Sequence, residues 1–306
     1  MHIRIATRSS KLALWQAHYV ADRLKEAGHT SEIVTFETKG DKVLDVSIAK
    51  IGSKGVFTEE LEYALANNHA DIAVHSAKDM PSRLPEGFSL IAFTEREEVC
   101  DVLVSSKSEI SPDNPLVIGT SSTRRTALLK HYYPQAKTVN VRGNLQTRIR
   151  KMEEGVCDAL MLAYAGVHRM GYDSLIQKRM PLDEFIPPVG QGSVTVEIHE
   201  NLDTDKREAI RSAVNHEPTS ICLECERSFL KTLEGGCSIP AFGYAQLIDD
   251  KVHLTAGIVS LDGKSLIQRT ATTNIDTAKE LGHQMAEEIL SSGGDQILKE
   301  IKTNNK

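Results

Sequence analysis

The chain of 306 residues has few cysteines, few aromatic residues and no long hydrophobic run. Its five cysteines are an odd number and too sparse for the disulfide framework of a secreted domain. The longest apolar run covers nine residues, 159–167, whereas about 20 are needed to span a bilayer. The N-terminus lacks the basic start and the apolar stretch of a secretory signal. We therefore expect a cytoplasmic protein with no membrane partner.

Basic residues are unevenly distributed in a chain whose formal charge is −6. Residues 120–151 contain eight of them and no acidic residue, namely Arg124, Arg125, Lys130, Lys137, Arg142, Arg148, Arg150 and Lys151. This segment predicts an anion-binding surface, and a solvated basic face is an equal alternative on charge alone. Nucleic acid is disfavoured as the anion, because the chain is acidic overall and the segment contains only two aromatic residues.

Strand-like and helix-like stretches alternate along the first two thirds of the chain. Residues 2–7 alternate like a strand, and Ser9 or Ser10 begins a helix that Gly28 ends. The other elements that we predict here are strands at 32–38, 71–76, 116–119, 137–141 and 158–165 and helices at 57–68, 123–133 and 144–154. This alternation is typical of a parallel α/β sheet, and a polar break near 105–115 divides it into two tandem units.

The last third of the chain has a different pattern. Residues 187–192, Pro-Pro-Val-Gly-Gln-Gly, indicate a crossover, and we expect the strand at 193–199 to return to the sheet of the first unit. From about residue 215 the pattern changes, and we predict a helix that Thr219 caps and that runs to Glu234, three strands with a hairpin turn at Asp262-Gly263, and a last helix at 276–291. These elements predict a small α+β domain.

Asp79 is the first candidate for chemistry. It follows the buried strand 71–76, and ligands of open α/β sheets bind beyond the carboxyl ends of the strands. The alternative is a loop carboxylate that pairs with Lys78 or caps a turn.

A second candidate begins at Gly119, where a strand enters a serine-rich turn and then a helix with Arg124 and Arg125 in its first turn. Helix N-termini favour anions, so arginines there oppose the helix dipole. Two like charges ~6 Å apart repel by about 3 kcal/mol at an effective dielectric constant near 20. We therefore expect a bound anion, a polycarboxylate or polyphosphate, to account for these arginines. Arg142, after the next strand, belongs to the same pattern.

The cysteines divide into one candidate nucleophile and several core residues. Cys237 follows two glycines in a loop and is accessible to a ligand if its thiolate is stabilised, although an inert thiol is the alternative. Cys222 and Cys225 lie on one helical stripe without a second ligand pair, so we interpret them as core residues and predict no metal. The glycine-rich stretches 39–41 and 52–57 indicate either surface loops or a lid over an anionic ligand.

Several of these motifs occur together, in this order, in one known family. The motifs are Arg4–Ser10 with Leu12–Ala17, Asp71–Pro81, Gly119–Ser122 with Arg124 and Arg125, Arg142–Asn144, Val189–Gly192 and Gly236–Cys237. Through them the chain resembles the porphobilinogen deaminase family over nearly its whole length. The resemblance implies an α/β fold of two type II periplasmic-binding-protein-like lobes plus a small C-terminal α+β domain. The implied bounds are 1–95 with 191–215 for the first lobe, 96–190 for the second, and 216–306 for the C-terminal domain.

The resemblance also implies an activity. The enzyme would be a transferase of porphyrin and heme biosynthesis that deaminates four porphobilinogen units and polymerises them onto a covalently held dipyrromethane primer. Hydrolysis would then release hydroxymethylbilane. Asp79 would be the catalytic carboxylate, since positive charge develops on the pyrrole nitrogen as ammonia leaves. Cys237 would hold the dipyrromethane cofactor through a thioether bond.

The remaining site residues follow from the same resemblance. They are Lys78, Ser76, Ser122, Arg124 and Arg125 for the cofactor, Arg8, Ser10, Arg142, Arg148 and Arg169 for the substrate, and Lys50 and Phe57 in a loop that moves over the cleft. Each pyrrole carries an acetate and a propionate, which suits the basic segment. The family suggests a monomer. The rival from another class is a solute-binding protein that captures an anion without chemistry, and it would need neither Asp79 nor an adduct on Cys237.

Overall fold

The computed structural model describes residues 1–38, 58–108, 110–234 and 239–304. Three sheets organise this part of the chain, two mixed sheets of five strands and an antiparallel sheet of three. Within the described residues, no helix combines the length and the apolar character that a bilayer crossing requires. Three residues of the predicted site, Lys50, Phe57 and Cys237, lie outside the described residues.

The first sheet is the base of what we call the first lobe. Its strands are β1 (His2–Arg8), β2 (Thr30–Phe36), β3 (Ile72–Ser76), β4 (Phe88–Phe93) and β10 (Val194–His199). Their order is β2-β1-β3-β10-β4, with β1 parallel to β2 and β3, and β10 antiparallel to both of its neighbours. The helices of this lobe are α1 (Lys11–Glu26), α2 (Glu59–Ala66) and α6 (Thr204–Val214). Apolar residues of α1 and α6 cover one face of the sheet, and those of α2 cover the other.

The second lobe repeats this plan. Its strands are β5 (Asp101–Val104), β6 (Val117–Gly119), β7 (Lys137–Val139), β8 (Ala159–Ala163) and β9 (Ile176–Arg179), and its helices are α3 (Thr123–Tyr132), α4 (Leu145–Glu153) and α5 (Tyr164–Arg169). The order is β7-β6-β8-β5-β9, and β5 is antiparallel to both of its neighbours. In each sheet the strand that is antiparallel to its neighbours, β10 or β5, is the first strand after the chain passes over from the other lobe. The predicted fold class is confirmed by these two lobes and the smaller third unit.

The third unit contains β11 (Ala241–Ile248), β12 (Lys251–Val259) and β13 (Leu266–Asn274). Its helices are α7 (Glu217–Thr232), α8 (Ala278–Ile289) and α9 (Asp295–Asn304). Cys222 and Cys225 lie in the core between α7 and the sheet, as the helical stripe predicts. The turn at 262–263 joins β12 and β13, which confirms the hairpin prediction. Helix α8 confirms the helix predicted at 276–291, and α9, which follows Gly293 with its positive φ of 106°, was not predicted.

Two chain crossings, residues 94–100 and 187–193, join the lobes side by side. The amide of Glu97 donates to the carbonyl of Gly192 at 3.2 Å. Glu226, on α7, is fully buried beside them and accepts hydrogen bonds from the Arg96 side chain at 2.5 Å and from the Gly190 amide at 2.9 Å. The third unit therefore fixes both crossings through one carboxylate.

Candidate active site

Asp79 lies directly beyond the carboxyl end of β3. The strand ends at Ser76, and a short 3-10 helix, Ala77–Asp79, turns the chain toward the space between the lobes. The Asp79 side chain is exposed, and no described residue forms a hydrogen bond or ion pair with its carboxylate. The alternative that Asp79 pairs with Lys78 is therefore not observed, and the carboxylate is available to a ligand.

The second crossing packs tightly against this turn. Gly190 has a φ of +79°, and a Cβ placed there would lie 2.8 Å from the carbonyl carbon of Ala77. Only glycine allows the backbones to approach this closely in that conformation. On the other side, the Gln16 amide donates to the Ser76 hydroxyl at 2.8 Å. The turn that carries Asp79 is thus held from both sides.

Lys78 points toward the second lobe. Its ammonium nitrogen lies 3.3 Å from Oε1 of Gln191, which is on the second crossing. Burial, and next the positive charge of Arg125, lowers the pKa of Lys78 to about 8. Lys78 therefore gains or loses its charge near neutral pH, so a bound anion would strongly favour the charged form.

Arg124 and Arg125, at the start of α3, are both almost completely buried. Both donate to the carboxylate of Asp101, Arg124 to Oδ2 at 2.5 Å and Arg125 to Oδ1 at 2.8 Å. Burial alone would raise the pKa of Asp101, but the charges of Arg124 and then Arg125 outweigh it and lower that pKa well below its usual range. The expectation that a ligand anion accounts for both arginines is therefore wrong in part. A carboxylate from outside the basic segment already neutralises one of the two charges.

Ser122, Arg142 and Arg148 are the other predicted site residues in or beside the basic segment. Ser122 caps α3 by accepting from the amide of Arg125 at 3.4 Å. Arg142 is buried at the end of the strand that leads to α4. Arg148 donates from Nε to the carbonyl of Gly143 at 2.8 Å. Burial, and next the Arg125 charge, lowers the pKa of Arg148 to about 10, while the Asp79 carboxylate acts in the opposite direction. Arg148 therefore interacts electrostatically with Asp79 across the cleft.

Three further predicted residues are Ser10 and Arg8 of the first lobe and Arg169 of the second lobe, which reaches the first. Arg169, at the end of α5, donates to the carbonyl of Gly192 at 2.7 Å, and its guanidinium lies over the ring of Trp15. Ser10 caps α1 by accepting from the amide of Ala13 at 3.3 Å. Arg8 is half-buried at the end of β1 and has interactions within the chain.

The side chains of the cleft fit an anionic group that carries several carboxylates. The Nε groups of Arg124, Arg125 and Arg169 are buried and have no hydrogen-bond partner among the described residues. Protein atoms enclose these Nε groups, so a carboxylate would contact the terminal nitrogens of the guanidinium groups, each of which has two N–H donors. By contrast, the described residues contain no cluster of histidine, cysteine, aspartate or glutamate that could hold a metal ion. The arrangement can bind a polycarboxylate and present one free carboxylate, Asp79, to it.

Sequence reasoning missed two members of this site. Asp101 was missed because it begins a strand and belongs to no motif. Gln191 was predicted only as part of the crossover 187–192 and not as a site residue. Gln191 is fully buried and contacts Lys78, Asp101 and Arg125. The one available signal was the pair of glycines around Gln191, which indicates a close backbone approach.

Comparisons with known proteins agree over nearly the whole chain. A family model described as "Porphobilinogen deaminase, dipyromethane cofactor binding domain" matches residues 3–207, and one described as "Porphobilinogen deaminase, C-terminal domain" matches residues 220–291. The chain is 54% identical over 305 residues to the porphobilinogen deaminase of Desulfosudis oleivorans, covering 99% of this chain and 98% of that one. It is 54% identical over 302 residues to that of Cytophaga hutchinsonii, covering 98% and 97%.

Two of the solved structures that resemble the chain are periplasmic domains. The periplasmic VFT2 domain of Bordetella pertussis BvgS is 14% identical, with 69% of this chain and 86% of that domain covered and a TM-score of 0.43. A TRAP periplasmic solute binding protein from Pseudomonas putida F1, solved with bound D-glucuronate, is 8% identical, with 70% and 78% covered and a TM-score of 0.41.

Proposed function

The chain belongs to the porphobilinogen deaminase family, and from that premise we propose which of its residues perform each part of the reaction. The enzyme is a transferase of porphyrin biosynthesis. It removes ammonia from porphobilinogen, joins four units to a dipyrromethane cofactor, and releases hydroxymethylbilane by hydrolysis. When bound, the cofactor supplies the pyrrole carbon to which the first unit is joined.

Asp79 is the catalytic carboxylate in this proposal. As the carbon–nitrogen bond of porphobilinogen breaks, the pyrrole nitrogen supplies the electron pair and becomes positively charged. A carboxylate that accepts a hydrogen bond from that N–H stabilises the charge, and it can take up a proton when the new carbon–carbon bond has formed. The observation that carries the proposal is the exposed, unpaired Asp79 carboxylate at the end of β3, which interacts electrostatically with Arg148 of the second lobe.

The cationic residues bind the acetate and propionate groups. We assign Lys78, Arg124, Arg125, Arg142, Arg148 and Arg169 to ionic contacts, because the low dielectric of a buried cleft strengthens the attraction between each cation and a carboxylate. Arg124 and Arg125 also donate from their terminal nitrogens to Asp101 and to a backbone carbonyl, so each divides its charge between Asp101 and the ligand.

The remaining contacts are proposed on the family resemblance. Ser76 and Ser122 would contact the cofactor, and Arg8 and Ser10 the substrate. Cys237 would hold the cofactor through its sulfur, in the segment between α7 and β11. Lys50 and Phe57 would belong to an active-site loop in the segment between β2 and α2.

The domain bounds, the compartment and the assembly state are also proposals. The first sheet draws its strands from residues 2–93 and 194–199, and the second from 101–179, which supports bounds at 1–95 with 191–215, at 96–190 and at 216–306. The resemblance supports a cytoplasmic monomer. Light scattering of the purified enzyme during size-exclusion chromatography tests the monomer.

Intact-mass spectrometry of the denatured protein tests the attachment of the cofactor. Wild-type protein is expected to exceed the bare chain by two linked pyrrole units, and Cys237→Ser is expected to show the bare mass. Cys157→Ala, which removes a buried thiol of the second lobe, is the matched control and is expected to keep the adduct. An adduct that survives in Cys237→Ser would assign the attachment to another residue.

Turnover of Asp79→Asn tests the catalytic carboxylate. We expect kcat to fall by about 10²–10⁴-fold, with the cofactor adduct still present. Asp183→Asn, which changes an exposed carboxylate on the surface of the second lobe, is expected to keep wild-type turnover. Normal turnover of Asp79→Asn would remove Asp79 from the mechanism.

A further inference from the structure

The side-chain amide of Gln191 has only one possible orientation. Its Nε2 lies 2.6 Å from the carbonyl oxygen of Val99 and 3.0 Å from Oδ1 of Asp101. Both partners are acceptors, and Asp101 is ionised because its pKa lies well below neutral pH. An amide oxygen in this place would meet two lone pairs, so the NH2 group must occupy it.

The amide oxygen of Gln191 therefore faces two cations. It lies 3.3 Å from the ammonium nitrogen of Lys78, in the first lobe, and 3.5 Å from a guanidinium nitrogen of Arg125, in the second. Since this oxygen is neutral, it reduces the repulsion between the two cations without cancelling either charge. A carboxylate in the same place would cancel one of them.

The backbone of Gln191 is fixed independently of its side chain. Its carbonyl accepts from Nε of Arg96 at 2.9 Å, and its amide donates to the carbonyl of Pro188 at 3.1 Å. A Cβ on the next residue, Gly192, would lie 2.5 Å from the carbonyl oxygen of Glu97. The backbone position of Gln191 therefore does not depend on the contact between its side chain and Lys78.

We propose that Gln191 is a positioning residue that holds Lys78 and Arg125 next to each other, both charged, so that they can bind carboxylates of the substrate and the cofactor together. This inference rests on the proposed role of Lys78 and deepens it. The alternative is that Gln191 only joins the two crossings, as many buried amides do. The two differ in their effect on Lys78: a positioning amide controls its acidity, whereas a purely structural amide does not.

Brief acetylation of the holoenzyme over a range of pH, followed by peptide mass spectrometry, measures the pH midpoint at which Lys78 becomes reactive. The charged groups that act on Lys78 are Arg124, Arg125, Asp79 and Asp101, and none is changed in the test. In Gln191→Met the ammonium loses its acceptor, so we expect the midpoint to fall by about one pH unit. In Gln191→Glu the second carboxyl oxygen faces the Val99 carbonyl and Asp101, so we expect it to keep its proton, and the other oxygen then leaves the midpoint close to that of wild type.

Gln177→Met is the matched control, because the Gln177 amide also donates to a backbone carbonyl, that of Ser105, but lies away from the cleft. It is expected to leave the Lys78 midpoint unchanged. A fall of the midpoint in Gln191→Met with a wild-type midpoint in Gln191→Glu supports the proposal, and if Gln191→Met does not fold, Gln191→Leu is measured in its place. A midpoint that is unchanged in both variants, or that moves in one direction in both, overturns it.

A kinetic measurement separates this inference from the function on which it rests. Gln191→Met is expected to raise KM about tenfold while kcat changes less, because it disorders a binding contact rather than the carboxylate that stabilises the transition state. Lys78→Met tests the underlying function directly. An unchanged KM in Lys78→Met, together with a shifted midpoint in Gln191→Met, would retain the positioning and reject the role of Lys78 in binding.

Discussion

The guanidinium carbon of Arg169 lies 4.9 Å from the centroid of the Trp15 ring, and this contact joins the second lobe to the first. A second edge of the same guanidinium donates to the carbonyl of Gly192, and its buried Nε has no partner among the described residues. A planar cation held over a ring keeps its orientation while one donor remains for a ligand. Arg169 is thus bound to both lobes and to the crossing between them.

Arg169→Lys is expected to raise KM for porphobilinogen by about tenfold, because lysine keeps the charge but cannot stack on Trp15 and donate in two directions together. Steady-state kinetics measures the change. Arg179→Lys is the control, because Arg179 lies over the Tyr164 ring at 4.4 Å within the second lobe and is half exposed. A KM equal to that of wild type in Arg169→Lys would contradict the prediction.

The pH dependence of KM is expected to report on Lys78. Its pKa of about 8 means that the ammonium is charged below that pH and neutral above it. Substrate carboxylates bind the charged form, so KM is expected to rise as pH increases through about 8. In Lys78→Arg the charge persists, and this part of the pH profile should disappear. A profile that is identical in the two enzymes would assign the change to another group.

Asp101→Asn is expected to destabilise the enzyme strongly, by about 3–5 kcal/mol, because it leaves two buried arginines without their shared counter-ion. Urea unfolding followed by circular dichroism measures the free energy. The folded pKa of Asp101 is lowered, so its stabilisation is complete above its unfolded pKa, about 3.9, and is lost only as pH falls toward the folded value. Asp295→Asn breaks an exposed pair with Lys299 and should leave the free energy of unfolding almost unchanged, because solvent screens the pair.

Two glycine substitutions separate backbone strain from steric displacement. Gly190 and Gly155 both have positive φ, +79° and +85°, so alanine is expected to cost about 1–2 kcal/mol of stability at either position. Only at Gly190 does the new methyl group meet the turn that carries Asp79, since nothing lies within 4 Å at Gly155. Gly190→Ala is therefore expected to lower kcat at least tenfold. Gly155→Ala should keep the kcat of wild type, and equal kcat values in the two variants would reject the steric argument.

Local patterns were sufficient to predict the elements that carry the site, but not the contacts between them. The buried run of β3 predicted that Asp79 would follow a strand end, and the serine-rich turn predicted the start of α3 at Thr123. The partner of Arg124 and Arg125 is Asp101, more than twenty residues earlier in the chain and on a strand that composition did not reveal. The contact between Asp101 and these arginines depends on the order of strands in the second sheet, because Asp101 is on β5, which pairs antiparallel with β8.

Surface elements were also harder to predict than buried ones. Helix α6, Thr204–Val214, has only Ile210 and Val214 buried, so its apolar pattern is too sparse to stand out. Strand β4, Phe88–Phe93, is an edge strand whose outer residues are only half-buried, and it also lacked a clear alternation. In both cases the stabilising contacts come from the neighbouring sheet rather than from the local sequence.

The place of β10 in the first sheet, between β3 and β4, sets an order of folding during synthesis. When residues 1–93 have left the ribosome, the first sheet still lacks its inner strand β10, so the edges of β3 and β4 that β10 joins are unpaired. The five strands of the second lobe are consecutive in the chain, from Asp101 to Arg179, and that sheet can close next. The first lobe closes only when residues 194–199 emerge, so the N-terminal lobe is completed after the one that follows it.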